Sequence, residues 1–149
     1  MNESRQTKIE VLAGNGNLQE LILELSDKYN QFEIDIALGN AIAYSQIAVA
    51  EYLISIGADF STDDYDGVYY VVHNNEIEGL KYAISKGVDI NINNGMLINC
   101  CIMTSINSKD NEMLKWLLEN GANVELLTEN SIKLVTTYGS NELLNLITH

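Results

Sequence analysis

The chain has 149 residues, 46 % of them apolar, and its 8 basic against 21 acidic side chains leave a formal net charge of −13 at pH 7. That length suits one domain with a continuous core, and the apolar share is ordinary for a soluble globular protein. So negative a surface repels nucleic acid and anionic lipid and attracts basic proteins over long range, although acidic charge also serves solubility alone.

The opening MNESRQTKIE lacks the apolar stretch of a secretory signal, so a cytoplasmic location is expected. Within Lys8–Leu25, Ile9, Leu12 and Ala13 form one short apolar stripe and Leu18, Leu21, Ile22 and Leu25 a second, with Gly14–Asn17 as the break. The GNG triplet there has neither the context of a dinucleotide loop nor a Gly-Lys-Ser/Thr ending, so it reads as the turn between two helices. Ser26–Asp35 is polar apart from two aromatics and one isoleucine, and is expected to carry the chain into the next unit. Ile36–Ile56 reads as two helices turning near Tyr44–Gln46, with Leu38, Ala41 and Ile42 on one core face and Ile47, Val49, Ala50, Leu53 and Ile54 on the other. It comes closest to a membrane span, but Asn40, Ser45, Gln46 and Glu51 interrupt it, so none is expected.

The loop after Gly57, ADFSTDDYDG, is the most charged in the chain, with Asp59, Asp63, Asp64 and Asp66 around Tyr65, and with Tyr69 and Tyr70 just beyond. Turn chemistry explains the Asp and Gly; tyrosine among carboxylates has the composition of a binding surface. Val68–His73 and Glu76–Ser85 are the next helices, joined by an Asn-Asn turn. His73 has no nucleophile or paired carboxylate at a catalytic spacing and reads as a hydrogen-bonding surface or inter-repeat residue. Asp89–Asn94 alternates isoleucine with polar residues, as a short extended segment does. Met96–Asn107 is a helix with Ile98, Cys101, Ile102, Ser105 and Ile106 facing inward. Cys100 and Cys101, being adjacent, are poorly placed for a disulfide and have no CxxC or histidine partner, so reduced thiols are expected, with Cys101 buried. Glu112–Asn120 is the next helix, and Ile132, Leu134 and Val135, then Leu143, Leu144, Leu146 and Ile147, mark the last two around a turn at Tyr138–Ser140.

One phrase recurs three times: AEYLISIGADF at Ala50–Phe60, LKYAISKGVDI at Leu80–Ile90 and LKWLLENGANV at Leu114–Val124. Each has an aromatic (Tyr52, Tyr82, Trp116) five residues before a glycine, and the glycine sits where a helix ends left-handed. The glycines are 30 and 34 positions apart. These phrases resemble the second helix and exit turn of an ankyrin repeat, whose period is about 33 residues. The resemblance implies an all-α, ankyrin-like helix-turn-helix repeat solenoid of about five helix pairs with atypical terminal caps. Its units would span residues 5–31, 32–62, 63–92, 93–126 and 127–149 of one domain. The longer step is expected to add one turn at the start of the Met96–Asn107 helix. Another step of this size would fall beyond the last residue, so the chain is expected to stop after a helix. No copy has the family's Thr-Pro-Leu-His signature, which leaves a different helical solenoid as the alternative.

No metal-ligand cluster, nucleophile with base, or phosphate cradle is recognisable, so no enzymatic activity, cofactor or metal is expected. An enzyme with an unrecognised site stays a remote alternative, because fold does not name function. The resemblance implies a scaffold that binds through turn tips and first-helix faces. Its contact residues would be Asp63, Asp64, Tyr65, Asp66, Tyr69, Tyr70 and His73, flanked by Asn93, Asn94, Glu125 and Glu129. Small acidic ankyrin-like proteins resemble some members of bacterial toxin–immunity systems. The expected function is therefore an inhibitor or immunity-type protein, monomeric when free, that neutralises a basic partner such as a nuclease toxin. The alternative is a general ankyrin-like adaptor or effector that binds a host or self protein.

Overall fold

A computed structural model of the chain describes residues 2–148, with side chains from residue 5 onward. Among these residues it holds ten α-helices, one 3₁₀ turn and no strand, in line with the all-α expectation. The helices are α1 (Asn2–Gly14), α2 (Leu18–Leu25), α3 (Gln31–Ala43), α4 (Ile47–Ser55), α5 (Thr62–His73), α6 (Ile77–Ser85), α7 (Ile92–Ser108), α8 (Glu112–Glu119), α9 (Glu129–Tyr138) and α10 (Asn141–Thr148), with the 3₁₀ turn at Val124–Leu126.

The even-numbered helices are only 8 or 9 residues long, too short to persist on propensity alone. Burial holds them. Leu21 and Leu25 of α2, Leu53 of α4, Leu80 of α6 and Leu114 and Leu117 of α8 are sealed from solvent, each contributing roughly 1.5–3 kcal/mol. Each even helix packs on the odd helix before it, and the odd helices lie side by side in chain order from α1 to α9. One apolar core runs through all of them, from Ile9 to Leu143.

The recurring glycines do what the repeated phrase requires. Gly57, Gly87 and Gly121 share a φ of 103°, and a Cβ there would meet nothing within 4 Å, so conformation and not space demands glycine. The next amide reaches back to the helix each time: Ala58 N–H to Leu53 O at 3.0 Å, Val88 to Ala83 at 3.2 Å, Ala122 to Leu117 at 2.9 Å. The Asp or Asn two residues after each glycine then caps a tight turn. Asp59, Asp89 and Asn123 each accept, through Oδ1, the amide of the residue two further on, at 2.8, 2.9 and 3.0 Å. Asp89–Asn94 is therefore not the extended segment its alternation suggests; Ile92 N–H closes on Asp89 O at 2.9 Å, and Asn93 and Asn94 are left-handed.

Preceding helices hold these turns from the side. Asp35 is buried in α3 and accepts from Gln31 Nε2, Asp59 N–H and Thr62 Oγ1, all at 2.8 Å. Gln31 also donates to Gly57 O at 2.8 Å. At the later turn one residue does both jobs: Asn91 accepts from Asn123 N–H at 2.8 Å and donates to Gly121 O at 3.1 Å. Asn99 similarly accepts from Thr128 N–H and Ser131 Oγ and donates to Leu126 O.

Two helix crossings leave no room for a side chain. A Cβ on Gly67 would lie 2.5 Å from Gly39 Cα, and one on Gly79 would overlap the Ile42 carbonyl oxygen. Gly67 thus belongs to the α3–α5 crossing, while the turn in DYDG sits earlier, at left-handed Asp63, Asp64 and Tyr65. At the α3–α4 turn Ser45, at φ 57°, takes the place of a glycine and uses its Oγ to accept Gly79 N–H at 2.9 Å.

Several boundaries differ from the sequence reading: α5 begins at Thr62 and not Val68, and α7 at Ile92 and not Met96, each through a left-handed triplet. Helix α3 begins at Gln31, inside the expected connector, because Asn30 and Glu33 form a reciprocal capping box. The extra turn of α7 is added at its end and not at its start. α5 and α7 start 30 residues apart but end 35 apart, at His73 and Ser108. The starts are pinned by matching left-handed triplets, and Asn93 Nδ2 donates to Asp64 O at 2.9 Å across them. Ile132, expected inward, is 45 % exposed; Ser131 and Val135 take the buried positions of α9.

Candidate functional site

Most of the basic side chains are held in ion pairs. Arg5 and Lys8 pair with Glu24 of α2, Lys81 with Glu78 of α6, Lys86 with Glu51 of α4, and Lys115 with Glu112 of α8 and Glu142 of α10. Each of these five cations thus meets a carboxylate on an even-numbered helix. Arg5 also bonds Glu33 of α3 at 2.8 Å. Burial pushes the Glu33 carboxyl up, but the hydrogen bonds from Arg5 and the Asn30 backbone outweigh it and hold Glu33 below the usual range.

The grooves between the odd-numbered helices hold none of these cations. Grooves of about 230, 520 and 480 Å³ open between α1 and α3, between α3 and α5, and between α5 and α7, and no lysine or arginine lines any of them. They form one run. The first two share Glu10, Asn40 and Tyr44, and the last two share His73 and Asn74. The middle groove has Gly39 and Gly67 at the close crossing and is lined by Glu10, Asp63 and Asp66. Its aromatic walls stay open to solvent: Phe32 is 49 % exposed, Tyr44 53 % and Tyr70 44 %.

Tyr69, Tyr70 and His73 form an aromatic cluster on α5. Tyr69 lies edge-on to Tyr70 at 5.2 Å and stacks on His73 at 6.0 Å between ring centres. The Cys100 thiol beside Tyr69 and burial both push its phenol up. Burial raises Cys100 to about 11 and Cys101 to about 12, so both remain protonated at neutral pH. Both thiols are free, and Cys101 is fully buried.

The residues singled out from sequence divide three ways. Asp63, Asp66, Tyr70 and His73 line the middle groove, and Tyr69 and His73 the one beyond it. Asp64, Asn94, Glu125 and Glu129 are exposed outside all three. Tyr65 and Asn93 are tied to the fold instead: the Tyr65 ring packs against the core, and the Asn93 amide links the two left-handed turns. Glu10, Phe32, Asn40 and Tyr44 complete the groove without having been singled out. They lie on α1 and α3, far along the chain from the acidic loop, and only helix packing brings them to it.

Among the described residues no three His, Cys, Asp or Glu groups come together as a metal site, and no helix is long and apolar enough to cross a membrane. No protein-family model matches the chain, and no curated protein matches it significantly. What the fold and face define is a class: an all-helical protein whose middle groove combines carboxylates and open aromatic rings with no lysine or arginine.

Proposed function

We propose that the chain is an ankyrin-like stack of helix pairs that works by binding, and that its groove face docks a basic surface of another protein. The observation that carries this reading is the absence of basic side chains from the groove face. Five of the 8 basic side chains are bridged to carboxylates on even-numbered helices, while the grooves between odd-numbered helices hold no lysine or arginine and the middle one is lined by Glu10, Asp63 and Asp66. A net charge of −13 draws a basic partner in from a distance, and the aromatic walls supply the area that holds it. The role that suits such a face is inhibition of the immunity type. The carboxylates stand in for phosphates, occupy the cleft of a basic partner such as a nuclease toxin, and block it.

Capture of partners from the native cell, followed by association kinetics at rising salt, tests this. The expected result is a basic protein whose association slows steeply with salt. Asp63→Asn combined with Asp66→Asn should slow association several-fold while the melting temperature stays within about 2 °C, because exposed surface charges contribute little to stability. Recovery of only acidic or neutral partners, bound independently of salt, overturns the proposal.

A further inference from the structure

The middle groove is more selective than its charge alone requires. Four of its side-chain donors are already engaged inside the protein. Gln6 Nε2 donates to Glu10 at 3.0 Å, Thr62 Oγ1 to Asp35 at 2.8 Å, Asn40 Nδ2 to Ile36 O at 3.1 Å, and Asn74 Nδ2 to Ala43 O at 2.9 Å. A backbone carbonyl can only accept, so the last two contacts fix which end of each amide is nitrogen and leave Oδ1 as the unengaged end. The groove still offers as acceptors Asp63, Asp66, the second oxygen of Glu10 and two amide oxygens, beside the rings of Tyr44 and Tyr70 and with no lysine or arginine among them. Carboxylates beside π-faces match a flat cation that carries its donors on its edge.

We propose that this groove receives an arginine side chain of the basic partner, its guanidinium edge bonded to the carboxylates and its face against the tyrosine wall. The inference rests on the docking role proposed above and narrows it to one side chain at one place. An ammonium satisfies the charge but has no plane to lay on a ring, so the groove prefers arginine to lysine. The cavity of about 520 Å³ has room for such a side chain, and Gly39 and Gly67, in close backbone contact where α3 and α5 cross, form part of its lining.

The test uses the full chain and three fluorescein-labelled oligolysine peptides of equal length, with a central arginine, lysine or citrulline, followed by fluorescence anisotropy. The arginine peptide should bind about three- to tenfold tighter than the all-lysine one, and the citrulline peptide weakest. In ¹⁵N-labelled protein the amide shifts induced by the arginine peptide should centre on Gly39 and Gly67. Tyr44→Leu with Tyr70→Leu, which keeps apolar bulk and removes exposed phenol rings, should abolish the arginine preference and leave oligolysine binding in place. Equal affinity for arginine and lysine peptides would refute the arginine groove while leaving acidic docking standing. An arginine preference that survives the double tyrosine change would place the guanidinium elsewhere and also refute it. Binding of none of the peptides, even at low salt, would remove the docking proposal itself.

Discussion

Gly79→Ala sets two effects of opposite sign against each other. Gly79 lies in the first turn of α6, where alanine is the better helix former by at most about 1 kcal/mol. It is also buried against the end of α3. An added Cβ would overlap the Ile42 carbonyl oxygen, with the Ile42 carbon and Ser45 Oγ at 3.2 Å, and backbone cannot swing aside as a side chain can. Helix α6 must therefore back away, stretching the 2.9 Å bond from Gly79 N–H to Ser45 Oγ. Overpacking of this kind costs about 1–3 kcal/mol. A buried amide left without an acceptor costs about 1–3 kcal/mol more. The balance is a loss of about 3 kcal/mol, or about 6–12 °C in melting temperature for a chain of this size. Urea and thermal denaturation followed by helical circular dichroism measure both. Ser45→Gly should cost less in the Gly79→Ala background than alone, since the bond it removes is already broken. A variant that melts above the parent would mean that helix propensity wins and that the α3–α6 contact is not as close as described.

Three further outcomes are expected. Leu117→Ala, at a fully buried position of α8, should cost about 2–5 kcal/mol in urea unfolding, against a small fraction of that for Leu23→Ala, whose side chain is 72 % exposed. Asp35→Ala removes the acceptor for two side chains and the Asp59 amide; it should destabilise by about 2–4 kcal/mol and speed hydrogen exchange at Asp59 before other turns are affected. Tyr82 carries a buried hydroxyl with no hydrogen-bond partner, and burial together with the charge of nearby Glu51 raises its phenol to about 12. A folded-state pKa above the unfolded value near 10 favours the fold below pH 10 and is lost as pH rises towards 12. Tyr82→Phe should accordingly be neutral or slightly stabilising at pH 7 and should flatten the fall in stability between those limits. An unchanged alkaline profile would show that the phenol titrates alike in both states.

Helix ends were legible in the sequence because they are local. A glycine after an apolar stripe fixes a left-handed stop, and it occurs at all three phrases; the turn capped by Asp or Asn two residues later went unread, because the alternation at Asp89–Asn94 suggested an extended segment. Asn30 to Glu33 was equally readable as a capping box, yet the polarity around it suggested a connector. The placement of α7's extra turn was not readable. The start of α7 is held in step with that of α5 by matching left-handed triplets and by the Asn93–Asp64 hydrogen bond across them, a contact between different turns. The grooves show the same limit. The acidic loop and its tyrosines announce themselves, whereas Glu10 and Tyr44 are isolated residues until α1, α3 and α5 lie together. Glycine misled in one place: Gly67 looked like turn chemistry, but it marks a helix crossing tight enough to exclude a methyl group.

The side-chain clamps on the turns give the molecule a direction of assembly. Asp35 and Gln31 secure the turn after Gly57, Asn91 the turn after Gly121, and Asn99 the lead into α9. In each case the holder comes earlier in the chain than the segment it holds. A pair of helices leaving the ribosome would find its anchor already made, so growth from the amino end adds order without waiting for later residues. Loss of α9 and α10 would leave the clamps at Gly57 and Gly121 intact, while loss of α1 to α3 would set the acidic loop adrift.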